Sequence, residues 1–403
     1  MLDMNFIVRE PLLDPKQKIL GYELSLQGSD DATPSSADGI DLVEFLAKEL
    51  NRQESGWLLG DNQIFMEASP ALILSEAVVA LPPKNVVLNV FASDFSNDEI
   101  AEALKALRAE GYGILLRNAD VEGPDKALLP LVSHIEVAFN PEDFAAQARL
   151  YASLKQSSVH MVARGISTWP AFDSCASLGL DALVGNLYMT TKPGSHPKGL
   201  NPAQAMILQL MDMVRKNADV RQLEGILKRD AGLSYKLLRY INSAGFGLGA
   251  EIQSLKHAVT MLGYSPLYRW LSVLLATAST AGYSPVLMHT AVVRGRFAEL
   301  LGKGFIPKAD LENLFVAGMF SLLDRLLGIP MEEVLENIQL SESVTQALIS
   351  REGMYGPFLA LAESCEMNNN EKIGELADSL FISPVQVNEA HLAALAWAQN
   401  LKL

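Results

Sequence analysis

Apolar residues recur at helical spacing through the second half of the chain, most clearly from Leu223 to Leu275. Two stripes of residues three or four apart each predict a helix with one buried face: Leu233, Leu237, Leu238 and Ile241, and then Leu267, Trp270, Leu271, Leu274 and Leu275. Three glycines separate the stripes, Ser254 is placed to cap the next helix, and Ser265 with Pro266 to open the one after it. This pattern predicts a tight all-helical domain.

The first half of the chain alternates short β-branched runs with helical patterns. The predicted strands are Val86 to Phe91, Gly113 to Leu116, His134 to Phe139, Val159 to Ala163 and Ala182 to Tyr188. Helices are predicted over Asp98 to Glu110 and Pro141 to Gln156. Repeated strand and helix favour a closed parallel β/α barrel. The alternative, an open doubly wound sheet, is expected to carry a Gly-rich phosphate turn after an early strand, and the sequence has none.

Two irregular stretches interrupt this half. Gln27 to Asp41 is polar, acidic and rich in small residues, which predicts a mobile loop. Thr190 to Pro202 carries several prolines and glycines after the last strand and marks a domain boundary. The predicted organisation is therefore a barrel over 1–193, a linker over 194–202 and an all-helical domain over 203–403.

Composition places the chain among folded two-domain proteins, with 403 residues of which 49% are hydrophobic. A net charge of −15 without a sustained basic run opposes nucleic-acid binding. The widely spaced Cys175 and Cys365 indicate a reducing compartment and no cysteine metal site. The uncharged stretch from Trp270 to Val293 is interrupted by polar residues and by Gly282, so buried helices are expected rather than a membrane span. With no signal peptide, a cytoplasmic location is expected.

Three blocks of the second half resemble the HDOD domain, a helical relative of the HD phosphohydrolases. They read KRDAGLSYKLLRYINSAGFG, SLKHAVTMLGYSPLYRWLSVLL and FVAGMFSLLDRLLGIPMEEVL, in that order. The resemblance runs from about Asn201 nearly to the C-terminus, in the subfamily where the HDOD domain follows a degenerate EAL domain. Active HD enzymes need a His-Asp dyad, and none of the six histidines here is followed by Asp. No metal is therefore expected in this half.

The first half resembles the EAL domain, the cyclic di-GMP phosphodiesterase barrel. FIVREPLLDPKQKILGYELSLQ (Phe6 to Gln27) stands where that family has its opening hairpin and signature, and the match continues to LYMTTKP. The resemblance implies two-metal hydrolysis, in which carboxylates at successive strand ends hold two divalent cations. The signature Glu falls on Glu23, a metal-binding Asn falls on Glu67, and a metal-binding Glu falls on Asn89.

The remaining family positions depart further from the pattern. The paired aspartates fall on Arg117 and Asn118, and the Lys of the next strand falls on Glu136. A later Glu falls on Arg164, and the Gln of the last motif falls on Asn186. Two guanidinium groups at strand ends oppose divalent cations, and at least four anionic ligands are missing. The resemblance therefore implies a barrel with no catalytic residues, metal or other cofactor.

Two hypotheses concern Arg117 and Arg164. They could grip a phosphate bidentately and make the barrel a metal-free cyclic di-GMP receptor. In the favoured interpretation they instead pair with Glu23, Glu67 or Glu136 and stabilise a vestigial pocket.

The function expected from both resemblances is that of a non-catalytic bacterial signalling or scaffold protein. It would capture a signalling protein through its helical half, with no nucleic acid or membrane as partner. Self-association stays open. The alternatives are the cyclic di-GMP receptor and a weak cyclic di-GMP phosphodiesterase that retains Glu23 and Glu67.

Overall fold

The computed structural model describes residues 5–28, 36–52, 56–140, 143–190, 200–243, 252–278, 285–308, 310–338, 340–366 and 370–401. Contacts divide the chain into two compact units, which we describe separately. The first comprises Met1–Thr190 with two C-terminal pieces, Ser364–Asp378 and Ser383–Glu389. The second comprises Thr191–Glu363, Ser379–Ile382 and Ala390–Leu403. The linker expected at 194–202 lies largely outside the described residues, and the domain limits stay a prediction.

The first unit is built on a closed eight-stranded barrel, as the alternating pattern predicts. Its strands are β1 (Asn5–Leu13), β2 (Ile19–Gly28), β5 (Gln63–Glu67), β6 (Val86–Phe91), β7 (Gly113–Arg117), β8 (His134–Val137), β9 (His160–Ala163) and β10 (Ala182–Val184). A separate hairpin is formed by β3 (Asn51–Arg52) and β4 (Gly56–Trp57). The barrel order is β1-β10-β9-β8-β7-β6-β5-β2. Strand β1 runs antiparallel to both of its neighbours and the other pairs are parallel.

Inward-facing apolar side chains fill this barrel, because alternate residues of each strand point to its interior. The buried cluster consists of Leu12, Phe65, Val87, Leu115, Val162, Ala182 and Val184. Strands β2 and β5 approach so closely that a Cβ on Gly21 would lie 2.1 Å from the carbonyl oxygen of Gln63. Glycine is therefore required at the strand that also carries Glu23.

Helices alternate with the strands of the barrel. They are α1 (Ser36–Leu50), α2 (Pro70–Ile73), α3 (Asp98–Glu110), α4 (Phe144–Leu154) and α5 (Trp169–Leu178). Short 3-10 helices occupy Ala77–Ala80, Pro83–Asn85, Ala92–Ser96, Pro124–Leu131 and Leu187–Met189.

Two expectations for this half are wrong in part. Part of the predicted mobile loop is regular structure, because β2 continues to Gly28 and α1 begins at Ser36, while 29–35 lie outside the described residues. The predicted strand Ala182 to Tyr188 ends at Val184. There Gly185 adopts φ 153° and lies so near Ile166 that a Cβ would be 2.6 Å from the Ile166 carbonyl oxygen. The chain turns away from the sheet at this point.

The first residues of β1 are held by the C-terminal region, within the same unit. Strand β10 is short and pairs with β1 only at Leu12 and Leu13. Near the start of β1, the Oδ1 atom of the buried Asn388 accepts a hydrogen bond from the Ile7 amide at 2.8 Å, and its Nδ2 donates to the Asn5 carbonyl at 2.9 Å. One side-chain amide thus replaces the donor and acceptor of a neighbouring strand.

A second attachment lies two residues further along β1. The Arg9 amide donates to the Cys365 carbonyl at 3.2 Å. The Arg9 guanidinium pairs with Glu366 at 3.0 Å, and both side chains are buried. Loss of either partner would leave the other charge buried and unpaired. The ion pair therefore favours packing of this C-terminal segment against β1.

We predict that Asn388→Ala loosens the N-terminal end of β1. The substitution leaves a buried amide and a buried carbonyl unsatisfied, which costs about 2–3 kcal/mol. Hydrogen exchange at the Ile7 amide should accelerate, and the urea midpoint should fall. Asn400→Ala is the matched control, because Asn400 is exposed and its side chain donates to the Ala396 carbonyl one turn earlier. Unchanged exchange at Ile7 would contradict the assignment.

Two histidine rings lie close together, tilted by 38°, at the start of β8 and β9. The rings of His134 and His160 lie 5.2 Å apart, and Phe65 meets His134 edge-on at 5.3 Å. Ser133 Oγ lies 2.8 Å from Nδ1 of His134. His134 is almost fully buried, whereas His160 is exposed.

Burial, together with the smaller effects of the positive charges of His160 and Arg108, lowers the pKa of His134 to about 4, while Asp181 opposes the shift. A hydrogen bond with Asp181 raises the pKa of His160. On acidification His160 gains its proton first, and His134 stays neutral.

We predict that His134 makes the barrel acid-sensitive. Its pKa lies below the unfolded value of about 6.5, so the unfolded chain takes up a proton between pH 6.5 and 4 and the native state does not. The free energy of unfolding of the native protein should exceed that of the His134→Gln variant. This difference should decrease by about 3 kcal/mol as the pH falls through this window. Denaturation of both proteins at several pH values measures the margin. A ring pKa near 6.5 in an NMR titration would refute it.

The second unit is all-helical, which confirms the predicted fold class. The helices that follow the barrel in the chain are α6 (Pro202–Arg215), α7 (Val220–Leu227), α8 (Ala231–Ser243), α9 (Leu255–Leu262), α10 (Tyr264–Thr277), α11 (Pro285–Gly302), α12 (Leu311–Phe320), α13 (Leu323–Leu327), α14 (Met331–Asn337), α15 (Glu342–Ser350), α16 (Gly356–Ser364), α17 (Asn370–Ser379) and α18 (Pro384–Gln399). All of α17 except its last residue belongs to the first unit, as do the start of α18 and the last residue of α16.

Most of the predicted helix signals hold. Ser254 caps α9 by accepting from the His257 amide at 3.1 Å. Helix α10 begins at Tyr264, ahead of the expected Ser265 and Pro266, because Gly263 adopts φ 87° and ends α9. The uncharged stretch is divided between α10 and α11, and no helix among the described residues is long and apolar enough to cross a membrane.

Candidate functional site

Six of the eight predicted site residues lie near the carboxyl ends of the parallel barrel strands. Glu23 is in β2, Glu67 ends β5, Asn89 is in β6 and Arg117 ends β7. Glu136 is in β8, and Arg164 directly follows β9. Since these ends face the same rim of a barrel, the six side chains can converge.

Arg164 and Glu136 form the centre of this site. The Arg164 guanidinium pairs with Glu23 through Nη1, and its Nε lies 2.6 Å from Oε2 of Glu136. The same Glu136 oxygen accepts from Nε of Arg117 at 3.1 Å. One carboxylate oxygen therefore bridges two guanidinium groups, and all four side chains are largely buried.

Arg117 also extends toward the rim. Its Nη1 lies 3.6 Å from Glu67, whose side chain is 70% exposed, so solvent weakens this pair. On its other side the guanidinium lies over the Phe91 ring, 5.6 Å from the centroid. These contacts hold Arg117 in one place without requiring a ligand.

Asn89 contacts Glu23 through its side-chain amide. It is fully buried, and its Nδ2 donates to Oε1 of Glu23 at 3.4 Å. Its Oδ1 accepts no hydrogen bond from any residue that the structure describes. The amide therefore orients the signature glutamate without neutralising its charge.

Asn118 and Asn186 stand apart from this group. Asn118 follows Arg117 in the left-handed backbone region, with φ 49°. Asn186 precedes the 3-10 helix after β10, and its Oδ1 is buried without a hydrogen bond in the described part of the chain. No ion pair or hydrogen bond found among the described residues joins either asparagine to the cluster.

Burial sets the electrostatics of Glu23. It raises the pKa of this carboxyl, the Arg164 and Arg117 guanidinium groups lower it, and Glu10 raises it again. Glu10 pairs with Glu23 in the register of β1 and β2, and sequence comparison with the family did not single it out. Counting equal numbers of residues on both sides of the β1–β2 turn places Glu10 opposite Glu23 and would have identified it.

The residues present do not fit a pair of divalent cations. Three carboxylates face two guanidinium groups, so the ionised cluster of Glu23, Glu67, Glu136, Arg117 and Arg164 carries a net charge of only −1. Nor does the described part of the chain contain any group of three or more His, Cys, Asp or Glu residues arranged to hold a metal ion. The carboxylate oxygens that a metal needs are instead engaged by arginines.

Comparison with known proteins finds a family model that matches part of the helical half. Residues 200–337 match the HDOD domain. This match confirms the HDOD resemblance seen in the sequence of the helical half, and the closed eight-stranded barrel before it agrees with the expected barrel fold.

Two curated relatives align over nearly the whole chain. It is 24% identical over 412 residues to the uncharacterized protein YuxH of Bacillus subtilis, with 98% of each chain covered. It is also 24% identical over 407 residues to the cyclic di-GMP phosphodiesterase CdgJ of Vibrio cholerae, with 98% of this chain and 93% of the relative covered. Among solved structures, the EAL domain of Mycobacterium smegmatis DcpA is 14% identical with a TM-score of 0.37, covering 45% of this chain and 90% of that one.

We predict that Arg164→Gln raises the pKa of Glu23 further, because it removes the largest interaction that opposes the effect of burial. It should also destabilise the chain by about 2–3 kcal/mol, since two carboxylates lose a partner in a partly buried site. NMR titration of the glutamate carboxyls and urea denaturation measure these changes. Arg149→Gln, at an exposed arginine of α4, is the control. A Glu23 pKa that stays the same or falls would refute the network.

Proposed function

We propose that this protein is a non-catalytic member of the cyclic di-GMP signalling proteins and acts in the cytoplasm by binding a partner protein. The observation that carries the proposal is the Glu136 carboxylate held between Arg117 and Arg164. Hydrolysis of a phosphodiester by two metals requires carboxylates free to bind them. Here Glu23, the signature glutamate, is engaged by Arg164, and Glu136, which stands where the family has a Lys, holds both arginines beside it.

Charge makes this arrangement hard to reverse. A divalent cation among these carboxylates would lie close to two guanidinium groups that are largely buried and therefore poorly screened. Entry of the metal would require both arginine side chains to move away. Each guanidinium group would then lose its carboxylate partner. The two buried, unpaired thiols of Cys175 and Cys365 support the cytoplasmic assignment.

The helical unit is the proposed partner-binding half. It exposes several large apolar side chains, among them Phe381 at 88%, Tyr235 at 67% and Ile349 at 59%. Aromatic side chains in such positions are typical anchors in protein interfaces.

A metal-free cyclic di-GMP receptor is the second candidate. One observation favours it: the Nη2 atom of Arg164 is buried and makes no hydrogen bond with the described residues. A phosphate oxygen could take this donor if Glu23 or Glu136 moved aside. The third candidate is a weak phosphodiesterase, which the activity named for the relative CdgJ supports.

The test is calorimetric titration of the full chain with cyclic di-GMP, with and without magnesium or manganese, followed by chromatography of the products. We expect neither turnover nor saturable binding, because arginines engage the carboxylates of the barrel. Metal-dependent product that disappears in Glu23→Ala would establish the phosphodiesterase and overturn the proposal.

Saturable binding without product would instead establish the receptor. Arg117→Glu should then abolish binding, with Arg149→Glu as a charge-matched control. If the nucleotide does not bind, retention of a cellular protein by the full chain, lost on Phe381→Ser, supports the scaffold function.

A further inference from the structure

Charge is distributed unevenly along the helical unit. The chain contains 47 Asp and Glu residues against 32 Lys and Arg residues, yet Glu251 is the only acidic residue between positions 231 and 298. Around the start of this stretch, helices α7, α8 and α9 carry exposed basic side chains. The basic face, as we call it, consists of Tyr235 and five exposed cations: Lys228, Arg229, Lys236, Arg239 and Lys256.

Contacts between the three helices join these residues into one surface. Glu224 of α7 lies 3.6 Å from the ammonium group of Lys228, and its other oxygen accepts from the Lys256 amide, in the first turn of α9, at 3.2 Å. The hydroxyl of Ser234 in α8 donates to the Leu227 carbonyl, at the end of α7, at 2.9 Å. The start of α8 and the start of α9 are therefore both attached to α7.

Helix α8 carries the middle of the basic face. Tyr235, Lys236 and Arg239 are exposed, and residues three or four positions apart lie on the same side of a helix. The far end of α8 is fixed because the side-chain amide of Asn242 donates to the Ile252 carbonyl at 2.9 Å and accepts from the Ile252 amide at 2.8 Å. Tyr235, which is 67% exposed, thus stands among cations on a helix held at both ends.

The carboxylates near the basic face leave part of its charge uncompensated. Glu224 already meets Lys228 and the Lys256 amide, and Asp230 accepts from the Leu233 amide at the start of α8. Neither Arg229 nor Lys236 forms an ion pair with any residue in the described part of the chain. A surface of this kind attracts an anionic partner.

The size of that partner is limited by the charge of the whole protein. The net charge is −15, and salt screens charges separated by more than about 8 Å. A short anionic segment confined to the basic face is therefore attracted. A long nucleic acid or a flat anionic membrane would also face the acidic remainder of the protein, which repels it. Tyr235 adds an aromatic anchor of the kind found in protein interfaces.

We propose that the basic face binds a short acidic segment of a partner protein. Carboxylates of the segment pair with Arg229 and Lys236, and one of its apolar or aromatic residues packs against Tyr235. This inference rests on the function proposed above, because it specifies the chemistry of the partner that the helical unit binds. The two ideas fail separately, since turnover of cyclic di-GMP would overturn the proposed function and leave peptide binding unchanged.

The test uses the full chain and a fluorescent peptide of glutamates with one central tryptophan. Three comparison probes are the same peptide with glutamine in place of glutamate, single-stranded oligothymidylate of equal length, and phosphatidylglycerol vesicles. We expect saturable binding of the acidic peptide in fluorescence anisotropy, weakened by added salt. The glutamine peptide and the oligothymidylate should bind at least about tenfold more weakly, and the vesicles should not retain the protein.

Three variants locate the surface. Arg229→Glu and Lys236→Glu should each weaken peptide binding by about threefold to fivefold, and Tyr235→Ala by about tenfold. All three side chains are exposed, so the fold should be unaffected. Lys303→Glu, at an exposed lysine after α11, is the charge-matched control. Absence of saturable binding, equal binding of the glutamine peptide, tighter binding of oligothymidylate or vesicles, or unchanged affinity in all three variants would overturn the proposal.

Discussion

Closure of the barrel depends on β1, the only barrel strand that runs antiparallel to both of its neighbours. It pairs with β10 at just two positions, so most of one edge lacks a strand partner. An unpaired edge is both costly when buried and prone to wrong pairing. Here Asn388, Cys365 and Glu366 supply the missing contacts. The N-terminal strand is thus completed by residues from the far end of the chain, which ties the barrel to the segment that follows α16.

The same barrel explains the character of its rim. Parallel strands bring side chains from distant sequence positions within a few ångströms, and the charge of each then depends on the others. Glu136 is stable in this setting because Arg117 and Arg164 share it, and Arg164 in turn holds Glu23. Removing metal ligands one by one would leave buried carboxylates uncompensated, whereas arginines at two ligand positions compensate them. The rim therefore keeps its shape without a metal.

Helices whose ends are set by neighbouring capping residues could be predicted from the sequence. Helix Asp98–Glu110 has the bounds predicted for it, since Asn97 caps its start and Gly111 ends it in the left-handed region. The pairing of the two arginines with nearby glutamates was also one of the two hypotheses drawn from the sequence. The contact of Asn388 with Ile7 joins residues 381 positions apart, and no local pattern marks it. The unsatisfied oxygen of Glu312 likewise depends on how Arg269 divides its contacts, which only packing decides.

Buried glutamates are compensated by arginines to different extents in the two units. In the barrel, each of the three glutamates lies within ion-pair distance of a guanidinium group, and the oxygens of Glu136 and Glu23 meet theirs closely. In the helical unit, two arginines also face two glutamates, but their close contacts go to Glu299 and leave Glu312 at 3.4 Å beside a cavity. Close ion pairs thus hold the side chains of the barrel rim together, whereas Glu312 depends on a longer contact with Arg269.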